Sequence, residues 1–146
     1  MREILLAEDN PADVYLIREA LNEFGVTCTL RIASDGKDVL TLISSGDSSW
    51  QPDLIILDLN LPRHDGLEIL RELRMTEATA KVPVVILTSS DSPRDRATAY
   101  ELGATRYLRK PSNLEQFLQL GEVFKNLLAQ PSEEPAAIVQ QEPYEA

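Results

Sequence analysis

The stretch that most constrains the fold is residues 53–62, which has the sequence Asp-Leu-Ile-Ile-Leu-Asp-Leu-Asn-Leu-Pro. Its four consecutive apolar residues predict a strand covered on both faces, because a strand with one face in water would alternate apolar and polar positions. Asp58 follows directly, and Asn60, Pro62 and Gly66 then favour a loop. We therefore expect Asp58 at the carboxyl end of a central strand, where open α/β sheets bind ligands. An aspartate in a turn or at a helix start is the alternative that this stretch leaves open.

Strand and helix signals alternate along the rest of the chain. Val14, Ile17 and Leu21 recur at helical intervals after a capping Asn10-Pro11 pair. Five strand signals separated by such helices predict an α/β doubly wound fold, a mostly parallel sheet with helices on both faces. In the known strand order 2-1-3-4-5, the first and third strands are neighbours. The expected strands are residues 4–7, 28–33, 54–57, 82–88 and about 107–108, and the expected helices are 11–24, 39–43, 67–73, 94–102 and 114–129.

The composition indicates one domain followed by an acidic end. A chain of 146 residues is long enough for one core and too short for two ordinary ones. We expect the domain over residues 1–129. Residues 130–146 contain four glutamates, three prolines and no base, which predicts a disordered tail.

Charge and apolar content also limit the partners and the location. The net charge of −10 works against non-specific binding to nucleic acid or to an anionic membrane surface. No apolar run approaches the roughly 20 residues of a membrane span, and the amino terminus reaches two acids before any signal-peptide core. Cys28 is the single cysteine and has no intrachain disulfide partner. We therefore expect a cytoplasmic protein that binds neither membrane nor nucleic acid.

Acidic residues end the first predicted strand as well as the third. Glu8 and Asp9 follow the first strand, and the order 2-1-3-4-5 brings them beside Asp58. Carboxylates 4 Å apart repel by roughly 4 kcal/mol per pair at an effective dielectric near 20, so this cluster predicts a bound cation. Oxygen ligands favour Mg²⁺, and one histidine and one cysteine nearly exclude a zinc cage. A helix-start charge pair is the alternative for Glu8 and Asp9.

A hydroxyl and an ammonium group are expected at the same edge. Thr88 ends the fourth predicted strand and Lys110 the fifth. A lysine ammonium and a threonine hydroxyl both bind phosphoryl oxygens. Taken alone, each residue also has an ordinary structural explanation, because threonine favours strand ends and lysine is usually at the surface. Their coincidence with the acids favours a phosphate site.

This set of residues resembles the receiver domains of response regulators in two-component signalling, the CheY-like family. The resemblance covers residues 2 to about 129 and implies a flavodoxin-like (βα)5 fold with a five-stranded parallel sheet. Thr88 lies 30 residues after Asp58, and Lys110 lies 52 residues after it, as in that family. The matching positions are Glu8, Asp9, Asp58, Asn60, Thr88, Tyr107, Lys110 and Pro111.

The resemblance implies a role for each residue near the predicted metal. Asp58 would accept a phosphoryl group from the phosphohistidine of a sensor histidine kinase. Asp9 would bind Mg²⁺ directly, Glu8 mainly through water, and Asn60 through its carbonyl. Lys110 would neutralise charge that develops on the transferred group.

The resemblance also implies a switch. Thr88 would move to bind the phosphoryl group, and Tyr107 would turn inward into the space that Thr88 leaves. Asn60 and Ser90 would flank the route of the attacking water. The Lys110–Pro111 peptide bond would be cis.

Three segments, residues 57–62, 87–90 and 110–114, look most like the single-domain regulators that partner phytochrome-type histidine kinases.

The apolar arc of the last predicted helix covers about 220° at 100° per residue, wider than one core-facing stripe. We therefore expect a homodimer through the fourth helix, fifth strand and fifth helix. The alternative is that residues 130–146 cover the helix.

Three rival functions share parts of this pattern. A flavin binder needs a phosphate-cradling loop where this chain has Glu8 and Asp9, and a phosphatase of the haloacid dehalogenase type expects an aspartate in place of Asn60. A receiver-shaped interaction module that is never phosphorylated is the third. No DNA-binding output domain follows residue 129, so we expect the output to be contact with another protein or feedback on the kinase. We expect a phosphoacceptor switch rather than an enzyme.

Overall fold

A computed structural model describes residues 2–44 and 51–129 as five strands alternating with five helices. Trp50, which the sequence predicts at the end of the sheet opposite Asp58, and the predicted tail over residues 130–146 lie outside the described residues. The elements are β1 (Arg2–Ala7), α1 (Pro11–Glu23), β2 (Cys28–Ala33), α2 (Gly36–Ser44), β3 (Leu54–Leu57), α3 (Gly66–Met75), β4 (Val84–Thr88), α4 (Pro93–Glu101), β5 (Arg106–Arg109) and α5 (Leu114–Ala129).

All neighbouring strands are parallel, and their order is β2-β1-β3-β4-β5. The predicted α/β doubly wound fold and its strand order are confirmed. Ala7, the last residue of β1, pairs with Ala33 of β2 and with Leu57 of β3. Because the pairing is in register at this end, the residues that follow these strands emerge at one edge of the sheet.

Alternate strand residues enter two separate core layers. Leu5, Ile55 and Ile86 pack on the side of α2, α3 and α4. Ile56 and Val85 pack on the other side, against α1 and α5. All four residues of β3 are buried. The strand predicted from the apolar run of residues 54–57 is therefore covered on both faces.

The wide apolar arc of α5 is largely buried within the chain. Phe117, Leu120, Phe124, Leu127 and Leu128 are at most 9% exposed, in the layer that α5 shares with α1 and the sheet. The arc therefore needs no second chain to cover these residues, and the predicted homodimer stays a prediction.

The two helices α1 and α5 approach each other closely at a glycine. A Cβ added to Gly121 would lie 2.2 Å from the carbonyl oxygen of Ala20 and 2.6 Å from the Phe24 ring. Real Cβ atoms essentially never approach another heavy atom within 3.0 Å, and a backbone carbonyl cannot move aside easily. Only glycine therefore permits this spacing between the helix backbones.

The helix α4, which the sequence predicts over residues 94–102, is weakly packed. Ala99 is its one buried residue. Ser92 caps it by accepting a hydrogen bond from the backbone N–H of Asp95 at 3.2 Å.

Across residues 2–44 and 51–129, the helices include none with the length and apolar character needed to cross a bilayer.

Candidate phosphoacceptor site

Backbone hydrogen bonds between strand ends fix the positions of the predicted site residues. The N–H of Glu8 donates to Ala33 O at 3.0 Å, and the N–H of Asp58 donates to Ala7 O at 3.1 Å. At the other side of the sheet, the N–H of Lys110 donates to Thr88 O at 2.7 Å. The backbone of these residues is therefore hydrogen-bonded to the ends of neighbouring strands, so the spacing of their side chains is fixed before any ligand binds.

The ammonium group of Lys110 lies at the centre of this edge. Its Nζ is 2.8 Å from Asp58 Oδ2, 2.8 Å from Asp13 Oδ2 and 3.0 Å from Glu8 Oε1. The side chains of Lys110, Glu8 and Asp58 are 11%, 2% and 6% exposed. One buried ammonium thus contacts three carboxylates, which leaves an excess of negative charge.

Glu8, Asp9 and Asp58 can each offer one carboxylate oxygen, and these oxygens lie within 4.8 Å of one another. Mg²⁺ binds oxygen at about 2.0–2.1 Å, so ligands on opposite sides of the ion are about 4 Å apart. Glu8 and Asp58 are buried and Asp9 is exposed, which leaves one side of the group open to solvent. The donor set fits a divalent cation that keeps bound waters, as the sequence predicts, and the carboxylates would close slightly to bind Mg²⁺.

Burial and like charge change the proton affinity of this group. Burial raises the pKa of Glu8 to about 7; the hydrogen bond from Lys110 opposes this shift and the charge of Asp58 adds to it. Burial alone would lower the pKa of Lys110, but the hydrogen bonds to Asp13, Asp58 and Glu8 outweigh it, so the pKa is raised. Lys110 is therefore a permanent cation, whereas Glu8 binds a proton near neutral pH.

Asp58 is oriented from both sides of its carboxylate. Its Oδ1 accepts a hydrogen bond from the N–H of Asn60 at 3.0 Å, and its Oδ2 accepts one from Lys110. The amide of Asn60 donates to Thr88 Oγ1 at 3.4 Å, and Thr88 is fully buried. The structure thus brings the predicted acceptor, its neighbour two residues on, the hydroxyl and the ammonium to one place.

Tyr107 occupies the inward position that the resemblance predicts for one state of the switch. It is 3% exposed, and its hydroxyl donates to Ser90 O at 3.1 Å. Two residues of α4 hold it there: its N–H donates to Tyr100 Oη at 2.9 Å, and the Arg96 guanidinium carbon lies 4.8 Å from its ring centroid. The turn of Tyr107 from an outward position stays a prediction.

The Lys110–Pro111 peptide bond is trans, because the part of the chain that the structure describes contains no cis bond. The prediction of a cis bond at Pro111 is therefore wrong for this structure. A trans bond is intrinsically favoured by about 0.5–1 kcal/mol before proline. Here it also lets Lys110 reach three carboxylates, so the contacts of the ammonium do not require the cis form.

Two contacts at this edge were not predicted from the sequence. Asp13, in the first turn of α1, binds Lys110. Ser90 Oγ donates to Asp95 Oδ2 at 2.9 Å and so joins the β4–α4 loop to the start of α4. Asp13 and Asp95 each occupy the first turn of a helix that begins with proline. That position is the one signal the sequence carries, and it is shared by many acids that only complement a helix dipole.

Comparison with known proteins identifies the family. The family model of the response regulator receiver domain matches residues 4–121. The chain belongs to this family. This receiver domain is 34% identical over 137 residues to Response regulator Rcp1 of Synechocystis sp. (strain ATCC 27184 / PCC 6803 / Kazusa), which covers 92% of this chain and 93% of Rcp1.

Two solved structures resemble this receiver domain over most of its length. The crystal structure of the phosphorylated cyanobacterial phytochrome response regulator RcpA superposes with a TM-score of 0.79 at 35% identity, covering 87% of this chain and 93% of RcpA. The Mn²⁺-bound form of response regulator Rcp1 superposes with a TM-score of 0.78 at 34% identity, covering 86% and 93%. The predicted resemblance to receiver domains of phytochrome-associated regulators is thereby confirmed.

Proposed function

We propose that this receiver domain accepts a phosphoryl group on Asp58 from the phosphohistidine of a sensor histidine kinase, with Mg²⁺ bound at Glu8, Asp9, Asp58 and the carbonyl of Asn60. The observation that carries the proposal is the contact of 2.8 Å between Lys110 Nζ and Asp58 Oδ2, beside three carboxylates whose oxygens lie within 4.8 Å of one another. That two related regulators are described as phosphorylated and as Mn²⁺-bound supports it.

The chemistry is a transfer between two nucleophiles. An Asp58 oxygen forms a bond to phosphorus, the bond from phosphorus to the kinase imidazole nitrogen breaks, and its electron pair stays on that nitrogen. A bound Mg²⁺ supplies positive charge for the phosphoryl oxygens. Asp58 is already oriented by the Asn60 N–H, so attack requires no search for a rotamer. Lys110 exchanges its contact with Asp58 for a phosphoryl oxygen and neutralises charge that develops there.

The response to phosphorylation would pass through Thr88. Its hydroxyl accepts hydrogen bonds of 3.4 Å from the Asn60 amide and from the Ser90 N–H, both at the outer limit for such bonds. In both contacts the hydroxyl is the acceptor, whereas a phosphoryl oxygen would accept a charge-assisted hydrogen bond from it, so the Thr88 hydroxyl would turn toward the phosphoryl group. Ser90 accepts the hydroxyl hydrogen bond of Tyr107, so a shift of Ser90 would reach α4 and β5.

The partners follow from the family. The likeness to Rcp1 and RcpA supports a histidine kinase of the phytochrome type as the phosphoryl donor. We propose output through contact with another protein at the face of α4, β5 and α5, where a homodimer would also form. The expected cytoplasmic location stays a prediction.

Phosphoryl labelling tests the proposal directly. The protein is incubated with acetyl phosphate and Mg²⁺ and its intact mass is measured. We expect one phosphoryl adduct that disappears in Asp58→Asn and persists in Asp53→Asn, which changes a carboxylate at the opposite end of β3. An unchanged mass, under conditions that label a control receiver, would favour the interaction module that is never phosphorylated. Repeated hydrolysis of a phosphate ester without an adduct would favour the phosphatase.

A further inference from the structure

Asp13 is a carboxylate that the proposed transfer does not use. Its Oδ2 accepts a hydrogen bond from Lys110 Nζ at 2.8 Å, as short as the contact with Asp58, and its side chain is 19% exposed. It lies outside the group of carboxylates whose oxygens converge on a cation. Asp13 is therefore bound to the lysine of the site without belonging to the predicted metal ligands.

The capped start of α1 holds Asp13 in place. Asn10 Oδ1 accepts hydrogen bonds from the N–H of Ala12 at 2.8 Å and of Asp13 at 3.3 Å, and Pro11 occupies the first helical position. A capped first turn has a fixed backbone direction, so the Asp13 carboxylate is presented by a rigid element. Lys110 itself comes from the end of β5, on the far side of β3 and β4. The contact thus joins α1 to the last strand across the site.

A lysine ammonium has three hydrogens, and in this structure Lys110 has three carboxylate partners. Two of them, Glu8 and Asp58, are the groups that a cation and a phosphoryl group would claim. Asp13 is the partner that Lys110 can keep throughout. A lysine side chain has four rotatable bonds, so one constant partner limits the positions that the ammonium samples.

We propose that Asp13 is a positioning residue for Lys110. It holds the ammonium beside Asp58 while the other two carboxylates turn to their ligands. This inference rests on the proposed function, because it assigns Asp13 a part in the same phosphoryl transfer. It predicts that loss of Asp13 slows transfer while the affinity for Mg²⁺ changes little, since Asp13 is not a ligand.

The test compares Asp13→Asn and Asp13→Glu with a matched control, Asp38→Asn. Asp38 is also an acid in the first turn of a helix, but it is exposed on α2. The first measurement is the rate of labelling by acetyl phosphate at saturating Mg²⁺. We expect Asp13→Asn to be about tenfold slower, the loss of one hydrogen bond to a charged group. Asp13→Glu should recover part of the rate, and Asp38→Asn should match the wild type.

A second measurement does not depend on phosphorylation. An ammonium group held by three carboxylates exchanges its protons slowly, so Lys110 should give a ¹H–¹⁵N signal that Lys110→Met removes. We expect Asp13→Asn to lose this signal and Asp38→Asn to keep it, with both variants melting near the wild-type temperature. An Asp13→Asn protein that is labelled at the wild-type rate overturns the proposal, and one that keeps the signal shows that Asp13 does not hold Lys110.

The two measurements separate the failure of this inference from that of the proposed function. If the wild type is never labelled, the proposed function fails, and the ammonium signal alone decides whether Asp13 holds Lys110. If the wild type is labelled and Asp13→Asn is equally fast, the proposed function stands and the role of Asp13 is wrong. The affinity for Mg²⁺, measured by titration, should change less than about threefold in Asp13→Asn. A change of that size corresponds to less free energy than one ordinary hydrogen bond contributes.

Discussion

Two partly buried cations, Lys110 and Arg74, have different kinds of partner. Lys110 contacts three carboxylates at the carboxyl edge of the sheet. Arg74, at the end of α3, donates five hydrogen bonds of 2.7–3.1 Å to the backbone carbonyls of Thr79, Ala80, Val82 and Gly103. Within residues 2–44 and 51–129, no carboxylate forms a salt bridge with Arg74.

The difference separates an exchangeable site from a fixed joint. Carboxylate side chains can turn toward a metal or a phosphoryl group, so Lys110 can change partners. Backbone carbonyls cannot turn away without unfolding their loops, so Arg74 ties the α3–β4 loop to the α4–β5 loop permanently. The pKa shifts agree: burial lowers the pKa of Arg74, whereas three anions raise that of Lys110. The fixed joint should therefore affect stability, and the exchangeable one should affect ligand binding.

The largest effect is expected from Arg74→Met. It removes the Arg74 donor from the part-buried carbonyls of Ala80 and Val82, whereas Thr79 O keeps the Val82 N–H and Gly103 O can bind water. An unsatisfied buried group costs about 1–3 kcal/mol, so we expect the free energy of unfolding to fall by about 4 kcal/mol. Urea titration measures it. Arg71→Met, an exposed arginine on the same helix, should lose less than about 0.5 kcal/mol. If Mg²⁺ stabilises Arg74→Met more than it stabilises the wild type, the joint is not independent of the site.

The second effect is a dependence of stability on pH through Glu8. Its folded pKa of about 7 lies above the ordinary value of 4.5, so the folded state holds the proton more tightly than the unfolded state. Without Mg²⁺, the contribution of Glu8 to the free energy of unfolding should be largest below pH 4.5. This contribution, about 3 kcal/mol, should be lost as the pH rises to about 7. Glu8→Gln should remove this slope. A wild-type stability that rises steadily from pH 4.5 to 7 would contradict the assignment.

The third effect concerns Lys110 and Mg²⁺. Lys110→Met removes the cation that competes with Mg²⁺ for Glu8 and Asp58, so the dissociation constant for Mg²⁺ should fall at least about tenfold. A tenfold change is about 1.4 kcal/mol, which is less than the repulsion of roughly 4 kcal/mol between two unit positive charges 4 Å apart. Isothermal titration measures it. Arg109→Met, an exposed cation one residue away, should have little effect. Equal Mg²⁺ affinities in Lys110→Met and the wild type would show that the ammonium does not compete with the metal, which would remove the contrast with Arg74.

The smallest effect is expected at α4. Tyr100→Phe removes the hydroxyl that accepts the Tyr107 N–H and should cost about 1 kcal/mol. Amide hydrogen exchange at Tyr107 should accelerate about fivefold, because one hydrogen bond of this size shifts local opening by that factor. Tyr15→Phe, on an exposed tyrosine of α1, is the control. No change at Tyr107 would mean that other contacts hold α4.

Sequence patterns predicted the sheet well because the spacing of apolar residues and the residue types at strand ends are properties of short stretches of chain. The buried run of β3, the five strand ends and the strand order are confirmed, and the start of β4 after Pro83 differs by two residues because proline has no N–H for the ladder. The apolar arc of α5 is broad because α5 packs against both α1 and the sheet. The apolar pattern of one helix cannot distinguish this arrangement from a face that packs against a second chain.

Asp13 and Arg74 could not be found in the same way. An acid in the first turn and a base in the last turn of a helix are what the helix dipole favours, so neither attracts notice in a sequence. Their partners lie 97 residues away in one case and up to 29 in the other. Only the folded chain brings these groups together, so tertiary structure decides their role.

The glycine contact between α1 and α5 has a consequence for association. Because Gly121 allows the two backbones to touch at Ala20, neither helix can shift without losing this packing. A protein that docked across α1 and α5 would meet a surface that is already ordered, so little conformational entropy would be lost on binding. A protein that docked on α4, with Ala99 as its one buried residue, would meet a helix that fewer core contacts hold, so more conformational entropy would be lost for the same contact area.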